Sequence, residues 1–294
     1  MQGKVVAITG AARGIGRATA FALHARGARV ALGDIDGELV RQVAEQLGEG
    51  TLAAALDVTD RDDFEAFLSL VERELGPLDV LINSAGIMPL GPFSGERDEL
   101  TERMIAVNIG GVVLGSKLAL SRFQPRGAGQ LVNIAGVAGR VGFAGAVTYT
   151  ATQHAIVGLC SALRSELRGT GIEVQVVMPV LVETEMIAGL RGMRGRRTVT
   201  PAQAAEAVVE AIQLGRREVF VPRSAGRLLR LGSVLPGRVS RGLARTLRGD
   251  RLLADPNPEI RAAYEARIAA ADAADSIAQA ADSVARAVER DRRC

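Results

Sequence analysis

A doubly wound α/β fold, one parallel sheet covered by helices on both faces, is predicted by three observations. Short apolar runs rich in Val, Ile, Leu and Ala alternate with helix-period segments along residues 1–221, and continuous apolar strands are the mark of a sheet buried on both sides. The first run passes straight into a glycine loop that opens a helix. The 294-residue chain is 48% hydrophobic, with 34 glycines and only 3% aromatic residues, enough to bury one large domain of small aliphatic side chains plus an appendage.

The elements follow in order. Residues 5–9 read as a strand, 15–26 as a helix and 29–33 as the next strand. A helix over 38–47 precedes a strand at 52–56, and 61–75 has the amphipathic helical period. Pro77 introduces the apolar strand 80–83, then a helix over 99–120 and a strand at 130–134. Residues 149–168 are helical in pattern, 173–178 form a strand, and Thr200 with Pro201 opens a helix to 214. A last strand, 218–221, completes a Rossmann-type sheet. Composition then shifts. Residues 222–251 alternate arginines with leucines and valines, Pro256 and Pro258 punctuate, and 259–292 is Ala-rich with a weak helical stripe. These define a helical C-terminal extension, 222–294, beyond a 1–221 domain.

Several classes are excluded. The net charge is only +3, and the basic segment lacks interleaved aromatics, which argues against nucleic acid. Two cysteines, Cys160 and Cys294, make no disulfide framework and suit a reducing compartment. No leader precedes the first strand, and no uninterrupted apolar run has the ~18–20 residues of a membrane span. A cytoplasmic protein is expected. No His/Cys/carboxylate cluster has metal-ligand spacing, so no metal is expected.

The glycine loop reads Thr9-Gly10-Ala11-Ala12-Arg13-Gly14-Ile15-Gly16. Between strand and helix, Gly10, Gly14 and Gly16 let the backbone approach a pyrophosphate, and the helix N-terminus supplies free N–H groups and a favourable dipole. Asp34 ends the segment Ala31–Asp34 about twenty residues on. A carboxylate there accepts from a ribose diol and repels a 2′-phosphate, which favours NAD over NADP. Arg13, inside the loop, could still meet a 2′-phosphate, which leaves NADP as the lesser alternative.

Over residues 4–221 the ordered motifs TGAARGIG at 9–16, LDV at 56–58, NSAG at 83–86, Asn108 in AVNIGG, VNIAGVAG at 132–139, YTATQ at 149–153 and PVLVET at 179–184 resemble the short-chain dehydrogenase/reductase family. The resemblance implies that Asp57 and Val58 contact the adenine. It further implies that Asn83, Ala85 and Gly86 line the cofactor cleft, that Pro179, Val182 and Thr184 border the nicotinamide, and that a loop at about 185–200 forms a substrate lid. A homodimer or homotetramer is implied as well. Asn108 and Tyr149 match the family's catalytic tetrad. Two positions depart: Gly136 stands where the family has serine, thirteen residues before Tyr149, and Gln153 stands where it has lysine, four residues after. Val180 replaces a usual glycine.

In the family's mechanism the tyrosine hydroxyl moves the substrate proton while NAD(H) carries the hydride. The lysine lowers the tyrosine pKa and holds the ribose. An unperturbed phenol, with a pKa of about 10, is a poor base at neutral pH; Gln153, which with Tyr149 is expected to contact the cofactor, can hydrogen-bond the ribose but has no charge to stabilise phenolate. Without a hydroxyl at 136, an oriented donor worth roughly 2.7–4 kcal/mol in a transition state is missing. Three readings follow. The chain is an oxidoreductase acting on an electrophile that needs less acid help, an imine being the example; or a non-catalytic NAD-binding protein or scaffold; or a dehydrogenase whose two residues were exchanged deliberately. His154 faces about 100° away from Gln153 on a helix, a poor substitute base, and His24 reads as packing or surface.

Met88, Leu90, Phe143, Met186, Ile187, Leu190 and Met193 suggest an apolar pocket for a small hydrophobic substrate, although core packing accounts for each singly. The Arg/Leu stretch 222–251 suits an anionic membrane surface, but packing of its leucines on the core or a second subunit accounts for it more simply.

Overall fold

The structure, a computed structural model, describes residues 1–190, 198–227, 253, 257 and 259–268. Seven strands form one parallel sheet: β1 (Val5–Thr9), β2 (Arg29–Asp34), β3 (Thr51–Ala55), β4 (Val80–Asn83), β5 (Gly129–Ile134), β6 (Ile172–Pro179) and β7 (Glu218–Val221). Their order is β3-β2-β1-β4-β5-β6-β7. The register pairs Ile8 with Leu32 on one side and Ile82 on the other. The chain leaves β1 toward β2 and returns across it to β4, so the order reverses between β1 and β4. A doubly wound sheet binds ligands outside the carboxyl ends of its strands at such a point.

The two-residue period of the strands divides the core. Val5 and Ala7 face a cluster with Phe64 and Leu68 of α3 (Arg61–Leu75), Leu118 and Phe123 of α5 (Val112–Phe123), and Ile156 and Cys160 of α6 (Val147–Glu166). Val6 and Ile8 face the opposite cluster, with Ala20 and Leu23 of α1 (Gly14–His24), Val40 and Val43 of α2 (Gly37–Leu47), and Val208 and Ile212 of α7 (Pro201–Leu214). Buried Cys160 accepts a bond from Asn133 Nδ2 at 3.1 Å, a packing role as expected; Cys294 lies outside the described residues. Helix α7 starts on a full capping box. Thr200 Oγ1 accepts from Gln203 N at 3.2 Å, and Gln203 Oε1 accepts from Thr200 N at 3.0 Å.

Two local readings change. The helix expected at 149 begins two residues earlier, at Val147. The helix expected over 99–120 is interrupted: α4 (Asp98–Ile105) passes through a π turn, Ala106–Gly111, before α5. The resulting run Asp98–Arg126 is long and apolar enough, by length and composition, to cross a membrane, but half of its apolar window is buried in the fold. In the extension, residues 223–227 and 259–268 are helical. Of the 222–251 stretch on which the membrane-surface reading rests, all but residues 222–227 lie outside the described residues.

Candidate active site

A cavity of about 1050 Å³ runs along the carboxyl ends of the strands, with the glycine loop at one end. Gly10 has φ +66°, and a Cβ there would sit 2.7 Å from Ala85 Cα; a Cβ on Gly16 would sit 2.1 Å from the Gly10 carbonyl oxygen. Side chains are therefore excluded, and the loop backbone borders the cavity directly through Gly10, Gly14, Ile15 and Gly16. Helix α1 has no side-chain cap and no acidic residue in its first turn, so its leading N–H groups keep their affinity for an anion. A dinucleotide pyrophosphate fits this cradle.

Asp34 lies at the cavity edge with its carboxylate fixed, accepting from Ala12 N at 2.9 Å and Asp36 N at 3.1 Å. Burial raises its pKa, opposed by those two amides and by Arg13. Arg13 is engaged elsewhere, with Asp36 at 2.9 Å and Glu185 at 3.6 Å. Asp57 and Val58 line the middle of the cavity, and the Asp57 carboxylate accepts from Thr59 N at 2.8 Å. Ala85 and Gly86 face it from the end of β4, and Pro179, Val182 and Thr184 from the end of β6. Asn83 is the exception among the residues expected there. Its side chain turns into the sheet, 3% exposed, and donates to Asn133 Oδ1 at 2.8 Å. The terminal residue of a buried strand has its alternate face inside the core, so Asn83 supports the cleft from behind rather than lining it.

Four residues converge at the far side of the loop: Asn108, Gly136, Tyr149 and Gln153. Asn108 sits in the π turn, 1% exposed, and its amide pairs with both polar groups of Ile87: Oδ1 accepts from Ile87 N and Nδ2 donates to Ile87 O, each at 2.9 Å. Nδ2 also meets Thr152 Oγ1 at 3.2 Å, which ties α4–α5 to α6. The Tyr149 hydroxyl lies over Gly136; a Cβ on Gly136 would stand 3.2 Å from it. Gly136 has φ −80°, so no backbone requirement calls for glycine there.

Gln153 is not aimed at the phenol. Its Oε1 accepts from Gly136 N at 2.8 Å and Nε2 donates to Thr152 Oγ1 at 3.3 Å, with the residue 5% exposed. The two positions that depart from the family pattern thus touch each other, and Gln153 braces the loop below the tyrosine. Burial, with a smaller contribution from nearby Tyr264, holds the Tyr149 pKa above its ordinary value. His154 is exposed, its Nδ1 against Thr150 O at 2.9 Å, away from the cavity. Among the described residues no group of three His, Cys, Asp or Glu is placed to hold a metal.

Met88, Phe143, Met186 and Ile187 line the apolar part of the cavity. Leu90 and Leu190 pack in a satellite cluster around Ala146 and Leu253; Met193 lies outside the described residues. Sequence reasoning missed the rest of this wall. The 259–268 helix contributes Tyr264, Arg267 and Ile268 to it. Asn257 N donates to Gly189 O at 2.7 Å. Arg261, 1% exposed, donates to the carbonyls of Met88 at 2.7 Å, Met186 at 3.1 Å and Ala188 at 3.4 Å. Tyr264 Oη accepts from Met88 N at 2.8 Å. The only signal in the sequence was the Pro256–Pro258 punctuation ahead of a helical stripe.

The short chain dehydrogenase family profile matches residues 4–195. An uncharacterized oxidoreductase of Staphylococcus aureus strain USA300 is 32% identical over 210 residues, covering 71% of this chain and 90% of that protein. A 3-oxoacyl-[acyl-carrier-protein] reductase of Vibrio harveyi is 33% identical over 205 residues, covering 69% and 84%. Among solved structures, the 3-ketoacyl-(acyl-carrier-protein) reductase of Brucella melitensis complexed with NADH superposes with a TM-score of 0.71 at 29% identity, covering 75% of this chain and 97% of that one. A Burkholderia phymatum short chain dehydrogenase/reductase in complex with NAD gives 0.72 at 23% identity, covering 87% and 98%, a likeness of fold. With these matches and the cavity geometry together, the chain belongs to the short-chain dehydrogenase/reductase family of oxidoreductases.

Proposed function

We infer that the chain is an NAD(H)-dependent oxidoreductase that works in the direction of reduction on an apolar carbonyl or imine compound. The observation that carries this reading is the Tyr149 hydroxyl, without a hydrogen-bond partner among the described residues, facing a cavity continuous with the phosphate-binding glycine loop. Bound in that cavity, the dinucleotide supplies or accepts a hydride. The chain's own part is to bind, orient and protonate. The α1 N-terminus and glycine loop hold the pyrophosphate. Fixed Asp34 accepts from the adenosine ribose, and Arg13 is already paired with Asp36 and Glu185; both features favour NAD over NADP. Tyr149 gives its proton to the oxygen of a carbonyl or the nitrogen of a neutral imine; an iminium ion, already cationic, takes only the hydride and uses the phenol for orientation.

Direction follows from the proton. A phenol whose pKa is raised is a protonated acid at neutral pH and almost never a base. Gln153 is neutral and committed to Gly136 N, so no ammonium at that position opposes a cationic iminium substrate. The Met88, Phe143, Met186 and Ile187 wall suits an apolar body on the substrate. The reductases of 3-oxoacyl groups among the relatives make a 3-oxoacyl thioester one member of the test set. Cytoplasmic location and a homodimer or homotetramer belong to the same proposal.

The experiment is NADH and NADPH consumption with product analysis against ketones, a 3-oxoacyl thioester and cyclic imines. The Gly136→Ser/Gln153→Lys double variant runs beside the chain as given. Turnover by the chain as given, faster with NADH, is the expected result. Turnover only by the double variant, and only on carbonyls, would show that the chain binds the nucleotide without catalysis.

A further inference from the structure

Tyrosine is scarce in this chain. There are two, Tyr149 and Tyr264, and no tryptophan. Both line the same cavity, one from α6 and the other from the 259–268 helix. Tyr149 stands over Gly136, which brings no side chain to the cavity, and its hydroxyl has no partner among the described residues.

Tyr264 is held in a different way. Its oxygen accepts the Met88 N–H at 2.8 Å, and its ring packs against the Arg261 guanidinium, 5.0 Å from the centroid. A phenol oxygen that accepts one bond still has its O–H to give, and no described residue takes that proton. The Met88 N–H accounts for the Tyr264 oxygen and Arg261 for its ring, but no contact among the described residues uses the proton of this second phenol. Packing alone would be served by phenylalanine, and satisfying Met88 N would need only an acceptor.

A carbonyl oxygen has two lone pairs, and negative charge grows on it as the adjacent carbon is reduced. One donor can transfer its proton while a second stabilises the charge and keeps its own. On this geometry we propose that Tyr264 is a catalytic residue whose hydroxyl donates the second hydrogen bond to the substrate oxygen beside Tyr149. The proposal rests on the oxidoreductase reading above. Arg261 is then a positioning residue: its three carbonyl partners fix the turn of helix that carries Tyr264. Burial pushes the Tyr264 pKa up to about 12, partly offset by the Met88 amide and the nearby arginines. Both phenols therefore remain donors across the neutral range.

The chain's composition makes the test clean, because all near-UV tyrosine absorption comes from these two residues. A phenol that donates to a carbonyl shifts to longer wavelength, so a difference spectrum on adding 2-decanone to the protein·NAD⁺ complex reads the contact without turnover. The chain as given should show the full red shift, Tyr149→Phe about half of it, and Tyr264→Phe the other half. No shift in Tyr149→Phe overturns the proposal, and that reading does not depend on how Tyr264→Phe folds. In turnover, Tyr264→Phe should lower kcat for ketone reduction about ten- to hundredfold with the NADH KM unchanged; an unchanged kcat also overturns it. If no compound turns over and the Tyr149→Phe shift is present, the oxidoreductase reading fails while the contact stands. If compounds turn over and that shift is absent, the reading stands and the proposal fails.

Discussion

A phenol with no cation beside it keeps its proton far above neutrality, and at the scale of single residues that fixes the pH behaviour. Tyr149 is raised above its ordinary pKa of about 10, so at pH 7 its phenolate is at most about one molecule in a thousand. Reduction, which uses the protonated form, should be flat from pH 6 to 9. Alcohol oxidation, which needs phenolate, should rise about tenfold per pH unit over that range and continue rising past pH 10. Steady-state profiles in both directions check this; an oxidation rate that levels off near pH 8 would show a base other than Tyr149. The same shifts have a stability sign. Both tyrosines are raised, so their contribution is complete below about pH 10 and is lost as pH rises further. Gln153 carries a separate expectation. Gln153→Ala removes the acceptor of Gly136 N, and an unsatisfied amide costs about 1–3 kcal/mol, read as a lowered denaturation midpoint. Gln153→Glu keeps an acceptor there and should recover part of that loss.

At the scale of elements, the helices and strands around the site were legible because their signals are local. Each apolar strand run, the Thr200-Pro201 start of α7 and the strand–glycine–helix order of the phosphate loop can be read within a dozen residues. The π turn was not legible. Residues 106–111, AVNIGG, hold two glycines and two β-branched residues, which weaken a helix without specifying a π turn, and the Asn108 amide there pairs with Ile87, 21 residues away. Asn83 was misplaced for a related reason: a motif names a position, while the pleat decides which face its side chain takes. Two predictions belong here. Gly16→Ala would drive its Cβ into the Gly10 carbonyl and should abolish NADH binding in a fluorescence titration, through a changed loop rather than a lost contact. Thr200→Ala breaks the capping box and should cost about 1 kcal/mol of stability with NADH affinity unchanged.

For the whole molecule the decisive connection spans more than half of the sequence. Arg261 and Met88 are 173 residues apart, yet one 2.7 Å bond between them joins the extension to the loop that follows β4. No local pattern announces such a partner, which is why residues 222–294 read as an appendage and the 259–268 helix proves to be a wall of the cavity. The bond is strong because it is dry. A guanidinium 1% exposed has surrendered its water and, among the described residues, is compensated by the Met88, Met186 and Ala188 carbonyls and Glu265. By contrast the Arg267–Glu185 pair, half exposed on both sides at 2.5 Å, is worth about 0–1 kcal/mol. Arg261→Ala should therefore undock the helix at a cost of about 3 kcal/mol or more, while Arg267→Ala should leave it seated. Hydrogen exchange separates the two. In Arg261→Ala the amides of 259–268 and of the Met186–Ala188 turn should lose protection, whereas β1, β4 and β5 should keep theirs, because the sheet closes its core without the extension. Loss of protection throughout the sheet would mean that the extension is part of the folding unit itself.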